Sequence, residues 1–450
     1  MVAIHTHSPE GSRGFPDLEH EWIHVYPGAP VPPVQGGSFN HLIWDILQRH
    51  KSHLFVGRYY QESFEKAKQH DAVVMQVEIG KRHRRLEQLK RRLFEITHPG
   101  GDWVDVTSRT IVEAASRCIE QTQCSQLLVW GSNRLVRLLR YRFPKHTIAF
   151  AQRWYEIAHA SAQDLNYADI LLLLSEGIAR HTYRRYADLY PVTLILPNGV
   201  ELDMFHPVST ERKSTLRSAL GVVEDEVIAV VPSSIHGKKG ANYLYHWISH
   251  CHQHIPGLRF LVVGQPKGNT GRGYKARLIE RLDDMPNVTW IREVPRTQMP
   301  LYYQLSDFAL MPSIYREGMS MAALESLASG LPVIATQRGI FPEIVQHGVT
   351  GILCPPESLH VDGLEALKTL VNNRALRIEM SANARRYAER CLSRERCLAN
   401  FDAFFRGDWA AIDYDLSPDI SDQAQAKLAT SRALEAEQVP VAARRSVSAQ

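Results

Sequence analysis

Short apolar runs alternate with helix-patterned stretches along most of the chain, and few architectures can accommodate that rhythm. Runs at residues 22–26, 52–56, 72–77, 126–130, 147–151, 170–174 and 193–196 read as strands, and a second series follows at 227–231, 260–263, 288–291, 308–311 and 332–335. Between them lie stretches of helical period at 41–47, 80–96, 108–122, 133–142, 320–329 and 364–372. Continuous apolar runs separated by helices are what parallel sheets need, because both faces of such a sheet are covered. Pro197-Asn198-Gly199 and His206-Pro207 punctuate the chain near its middle. The expected fold is therefore α/β, with two Rossmann-like doubly wound domains facing a central cleft. The expected segments are a polar N-terminal tail over 1–21, a first domain over 22–200, a second over 201–390, a closing helix over 391–415 and a flexible tail over 416–450.

Several classes drop out on composition. At 44% apolar and 22% charged the chain is neither disordered nor fibrous. No apolar run reaches the ~18 residues of a transmembrane helix, and the start carries no secretory pattern, so the expected location is cytoplasmic. Cys118, Cys124, Cys251, Cys354, Cys391 and Cys397 form no CxxC pair and suit reduced thiols. His250, His252 and His254 fall at a helix end rather than along a strand, so no metal site is expected.

The formal charge of +4 is unevenly spread, since residues 79–150 hold fourteen Lys/Arg against six Asp/Glu. Much of that excess lies on one helical stretch, where Leu86, Leu89, Leu93 and Ile96 share a face and Lys81, Arg82, Arg84, Arg85, Lys90, Arg91 and Arg92 surround it. It admits two readings: a helix docked by its leucines with solvated cations, or a peripheral contact with an anionic membrane at its inner face. No nucleic-acid-binding signature accompanies the charge.

The densest chemistry lies in Pro312-Ser313-Ile314-Tyr315-Arg316-Glu317-Gly318-Met319-Ser320-Met321-Ala322-Ala323-Leu324-Glu325. A strand ends, a loop presents Glu317, and a helix begins near Ser320, so two carboxylates straddle a helix N-terminus. The backbone amides of Gly318, Met319, Ser320 and Met321 form a nest suited to a diphosphate, and Gly318 permits close approach. Carboxylates cannot sit against phosphate, so Glu317 and Glu325 are expected to accept hydrogen bonds from sugar hydroxyls on either side.

Gly330-Leu331-Pro332-Val333, Phe341-Pro342-Glu343-Ile344 and Gly348-Val349-Thr350-Gly351 follow in order. Together with Glu317, Gly318 and Glu325 they resemble the Glu-x7-Glu region of the family 4 retaining glycosyltransferases (glycosyl transferases group 1), which have the GT-B fold. Leu196-Pro197-Asn198-Gly199-Val200-Glu201 with Phe205 and Pro207, and Tyr167-Ala168-Asp169 running to Ser175-Glu176, extend the resemblance over roughly residues 22–405. It implies a nucleotide-sugar-dependent, metal-independent hexosyl transfer with no cofactor, the nucleotide-sugar being a substrate, to an unidentified glycan, lipid-linked sugar or small molecule. Glu317 would contact the transferred sugar and Glu325 the ribose. Lys239, in Gly237-Lys238-Lys239-Gly240, would neutralise the leaving diphosphate, and Gly36-Gly37 would lie over it.

Three departures accompany the match. Ser234 stands where the family carries an arginine on the donor phosphates, a difference of ~2–4 kcal/mol in leaving-group stabilisation unless Lys238 or Arg316 compensates. Gln152-Arg153 stands where a histidine is usual, His159 lying further on, and Gly339-Ile340 replaces a glycine pair. These keep open an alternative, a catalytically weak or silent GT-B protein that binds nucleotide-sugar. A nicotinamide dehydrogenase is disfavoured because the first strand is followed by Gly36-Gly37 and not by GxGxxG.

Overall fold

The computed structural model describes residues 2–7, 21–28, 31–33, 38–79, 90, 97, 105–152, 161–222, 226–265, 280–282 and 284–416. The first sheet contains β1 (Val2–His7), β2 (Trp22–Tyr26), β3 (His53–Arg58), β4 (Val74–Ile79), β5 (Gln126–Trp130), β6 (Thr147–Ala151), β7 (Ile170–Leu173) and β8 (Val192–Ile195). Its order is β1-β4-β3-β2-β5-β6-β7-β8. The second contains β9 (Val227–Val231), β10 (Leu258–Val263), β11 (Val288–Ile291), β12 (Phe308–Met311), β13 (Val333–Thr336) and β14 (Gly351–Cys354), ordered β11-β10-β9-β12-β13-β14. Every strand pairing in the second sheet is parallel.

Helices cover both faces of each sheet. They are α1 (Ser38–Arg49), α2 (Gln61–Gln69), α3 (Val106–Thr122), α4 (Asn133–Arg142), α5 (Ala162–Leu165), α6 (Glu176–Arg185), α7 (Thr210–Ala219), α8 (Ala241–His254), α9 (Met299–Gln304), α10 (Met321–Ala328), α11 (Phe341–Ile344), α12 (Leu359–Asn372), α13 (Arg374–Cys391) and α14 (Arg394–Phe405). Several start where the sequence supplies a capping oxygen. Asp105 accepts from the Ser108 amide at 2.9 Å, Ser175 from Ile178 at 3.2 Å and Ser393 from Arg396 at 3.1 Å.

The polar tail expected over 1–21 is corrected in part. Residues 2–7 form β1, the one antiparallel member of the first sheet, with Val2 opposite Ile79 and His7 opposite Val74. Polar histidines do not prevent this on an edge strand, where one face stays near solvent: His5 stacks on Tyr59 at 3.8 Å and bonds Glu78 at 3.0 Å. At the other end, Leu416 is buried and its carbonyl accepts from the Tyr387 hydroxyl at 3.0 Å. The tail expected over 416–450 therefore excludes Leu416, and its remainder, 417–450, lies outside the described residues.

One device recurs in both domains. Asp169, just before β7, accepts from the Ile148 amide at 2.7 Å and from Arg140 at 2.5 Å. Asp307, just before β12, accepts from the Ile228 amide at 2.8 Å and from Arg217 at 2.5 Å. Burial works against the Asp307 charge, but Lys213 and Arg217 hold its carboxyl below the usual range. Each aspartate thereby fixes the start of one strand against its neighbour.

The chain crosses between domains twice, and the crossings lie side by side. Val200 donates to the Leu392 carbonyl at 2.8 Å and accepts from the Arg394 amide at 2.9 Å. Beyond that point α14 returns to the first domain, placing Cys397, Phe401 and Phe404 in a core with Trp22, Trp44 and Trp130. Arg394 binds Asp45 of α1 at 2.6 Å, and His50 binds Asp402 at 2.8 Å.

Candidate functional site

In an open parallel sheet, ligands settle at the carboxyl ends of the strands where the order reverses. In the second sheet that point lies between β9 and β12, which are neighbours although β10 and β11 intervene in sequence. Ser234 and Lys239 follow β9, and Glu317 follows β12, so the topology brings these predicted residues to one place. The loop carrying Lys239 is fixed to the loop after β12: Ile314 donates to the Lys238 carbonyl at 3.0 Å. Gly240 closes the turn at φ +77°, where a Cβ would lie 1.9 Å from the Pro312 carbonyl oxygen.

Glu317 is buried, and both its carboxylate oxygens are engaged. Lys239 Nζ lies 2.7 Å from Oε2, while the Ser313 hydroxyl donates to Oε1. The loop after β13 closes over it, since Ile340 donates to the Glu317 carbonyl at 3.1 Å. Gly339, at φ +64°, comes so near that a Cβ would stand 2.5 Å from the Glu317 nitrogen. The glycine of Gly339-Ile340 thus serves close backbone approach even without the usual glycine pair.

Helix α10 begins immediately beyond. The amides of Gly318, Met319, Ser320 and Met321 make no backbone hydrogen bond among the described residues, and Ser320 supplies no side-chain cap. An uncapped helix start between two anchored loops is a ready anion site. Further along α10, Glu325 is buried against α9. Tyr303 donates its hydroxyl to Oε2 at 2.8 Å, and Arg296 stands 3.7 Å from Oε1. Burial pushes this carboxyl up to about 7, against the downward pull of Arg296 and the Tyr303 hydroxyl.

The remaining predicted residues distribute as follows. Ser234 is half-buried at the β9 end and brings no cation. Of the two cations expected to compensate, Lys238 is exposed, and Arg316 points away across the cleft, donating to His181 Nδ1 of α6 at 2.7 Å. Gln152 is buried at the end of β6 and donates to Asn133 at 3.0 Å. Gly36, Gly37, Arg153, His159 and all of the basic stretch over 81–93 except Lys90 lie outside the described residues. Sequence pattern alone did not single out Arg296 or Tyr303. The usable signal was Glu325 itself, because a carboxylate on a largely apolar helix requires a buried donor or cation.

A second contact spans the domains. The Glu343 carboxylate accepts from the Ser175 hydroxyl at 2.9 Å and from the Gly177 amide at 3.2 Å, at the start of α6. Helix α11, which follows the loop that covers Glu317, thus also holds the first domain.

Comparison with known proteins bears on the family and the fold. Residues 212–387 match the model of the family described as glycosyl transferases group 1. The chain is similar to D-inositol 3-phosphate glycosyltransferase of Segniliparus rotundus, 30% identical over 245 residues, covering 53% of this chain and 53% of that one. It thus spans about half the length of that relative. The putative glycosyltransferase YtcC of Bacillus subtilis is 22% identical over 373 residues, covering 80% of this chain and 85% of its own. Among solved structures, sucrose-phosphate synthase of Thermosynechococcus elongatus superposes with a TM-score of 0.67 at 19% identity, over 87% of this chain and 100% of that chain. HepE of Anabaena, in complex with UDP and glucose, gives 0.65 at 17% identity, over 86% and 100%. These structural likenesses concern the fold, which is GT-B.

Proposed function

We propose that the protein, whose residues 212–387 match the glycosyl transferases group 1 model and whose fold is GT-B, is a retaining glycosyltransferase that uses a nucleotide-sugar without a metal. The single observation that carries this is the cluster at the β9–β12 switch point: Lys239 on Glu317, the amides of 318–321 with no backbone partner among the described residues, and buried Glu325, all within one pair of loops and one helix. HepE, whose structures contain UDP and UDP-glucose, supports a donor of that class.

In this reading the diphosphate lies on the α10 amides, and Lys239 meets the negative charge that grows as the sugar departs. Glu325 accepts the ribose hydroxyls, and Glu317 those of the transferred sugar. Lys239 then serves two anions, holding Glu317 in place before and beside the donor. The first domain presents the acceptor from across the cleft, and closure at the paired crossings excludes water that would hydrolyse the donor.

The test is donor turnover by purified protein in excess EDTA, with UDP-, GDP- and ADP-sugars and the product anomer read by NMR. Release of nucleoside diphosphate with retained configuration is expected, and Glu317→Gln should lower kcat by more than it raises the donor Kd. Binding without turnover of any donor would establish the silent alternative. Activity lost on chelation and restored by Mg²⁺ or Mn²⁺ would overturn the metal-free mechanism.

A further inference from the structure

Arg296 lies between two carboxylates. Its Nη2 is 2.6 Å from Glu201 Oε2, on the interdomain crossover, and 3.7 Å from Glu325 Oε1, in α10. Glu325 is almost entirely removed from bulk water, with 8% of its surface exposed, while Glu201 is half-buried. The guanidinium also lies over the Phe205 ring at 5.4 Å, which limits how it can turn. Glu201 has the better geometry and holds the cation: burial opposes its charge, but Arg296 and Arg394 outweigh that and keep it below the ordinary range. Glu325 receives what is left.

From this arrangement we infer that Arg296 is a positioning residue that favours the ionised form of Glu325 for the donor ribose, and that Glu201 competes for it. The inference rests on the ribose role given to Glu325 above. Its chemical basis is simple. An ionised carboxylate accepts from two ribose hydroxyls, whereas a protonated one has given an oxygen over to donating. A carboxyl without water, facing only the Tyr303 hydroxyl, takes up a proton unless a cation is near. Among the described residues, the charged and titratable groups around the pair come from four elements and the connecting segments. Tyr303 comes from α9, Arg296 and Glu201 from the connecting segments, and Asp45 and His41 of α1 with Arg394 of α14 surround the Arg296–Glu201 end. Helix α13, packed along α10, directs Arg385 to the Ala328 carbonyl at 2.8 Å and not to Glu325.

Two readouts test this separately. The first is the ionisation of Glu325 itself, followed by carbon-13 NMR of the full-length protein labelled at glutamate carboxyls and assigned with Glu325→Gln. Arg296→Gln should move the midpoint upward by about one pH unit, and Glu201→Gln should move it downward, because it removes both a like charge and the competitor. Arg296→Lys should retain part of the wild-type value and guards against a folding defect. Opposite shifts from the two variants are not expected of a merely structural ion pair, so unmoved or same-direction midpoints would overturn the inference. The second is UDP affinity by calorimetry across the same pH range. It should fall about tenfold per pH unit below the midpoint and follow that midpoint in each variant. If the midpoints move as stated but UDP affinity is indifferent to pH and to Glu325→Gln, the ribose role falls, and the inference about donor binding falls with it.

Discussion

Glu325 is the residue at which burial and function pull hardest against each other. Its folded value of about 7 lies above the unfolded 4.5. The native chain therefore retains a proton that the unfolded chain has released, so this group's stabilisation is complete below the unfolded value and is lost as pH rises through about 7. Urea unfolding at pH ~5 and ~8 should show wild type losing about 2–3 kcal/mol more than Glu325→Gln over that interval. Parallel losses would mean that Glu325 is ionised at little cost. At this scale the sequence was legible where residue type and spacing carry the chemistry, as for Glu317 and Glu325 bracketing a helix start. It was not legible where a partner is brought by the fold. Arg296 reaches Glu325 from a separate segment, and Lys239 reaches Glu317 across a sheet reversal. Likewise nothing in the spacing indicates that Arg316 pairs with His181 and not with a phosphate.

Elements with uninterrupted apolar runs matched expectation to the residue, as for β5, β6, β9 and β12, since a strand buried on both faces leaves no ambiguity of pattern. Those with a polar face were harder. The histidines of β1 obscured a strand, and α7 buries none of its residues, so its apolar stripe gave little signal. The turn carrying Lys239 offers a test of how far local geometry sets the site. Gly240→Ala places a Cβ against the Pro312 carbonyl at positive φ, and should cost about 1–3 kcal/mol while displacing Lys239 and lowering turnover. Gly237→Ala, three positions earlier with no atom within 4 Å, should be close to neutral in thermal unfolding and in rate. Equal effects of the two substitutions would show that the loop adapts and that Gly240 does not hold it.

The whole molecule is two sheets joined by paired crossings, with α14 returning to the first domain and α6 held by the second. Glu343 links the parts, because it caps α6 while the loop leading into its helix covers Glu317. Glu343→Ala removes a carboxylate from a helix N-terminus, an interaction of up to ~2 kcal/mol, and should reduce kcat about tenfold while leaving UDP affinity nearly unchanged. The reverse pattern would place Glu343 in donor binding and not in domain closure. The central claim, that the β9–β12 switch point holds a nucleoside diphosphate, is most directly tested by a crystal structure of the protein with UDP. Diphosphate oxygens should lie within hydrogen-bonding distance of the 318–321 amides and Lys239 Nζ, with the ribose hydroxyls on Glu325. A nucleotide bound elsewhere, or with its phosphates turned from α10 and its ribose away from Glu325, would contradict it.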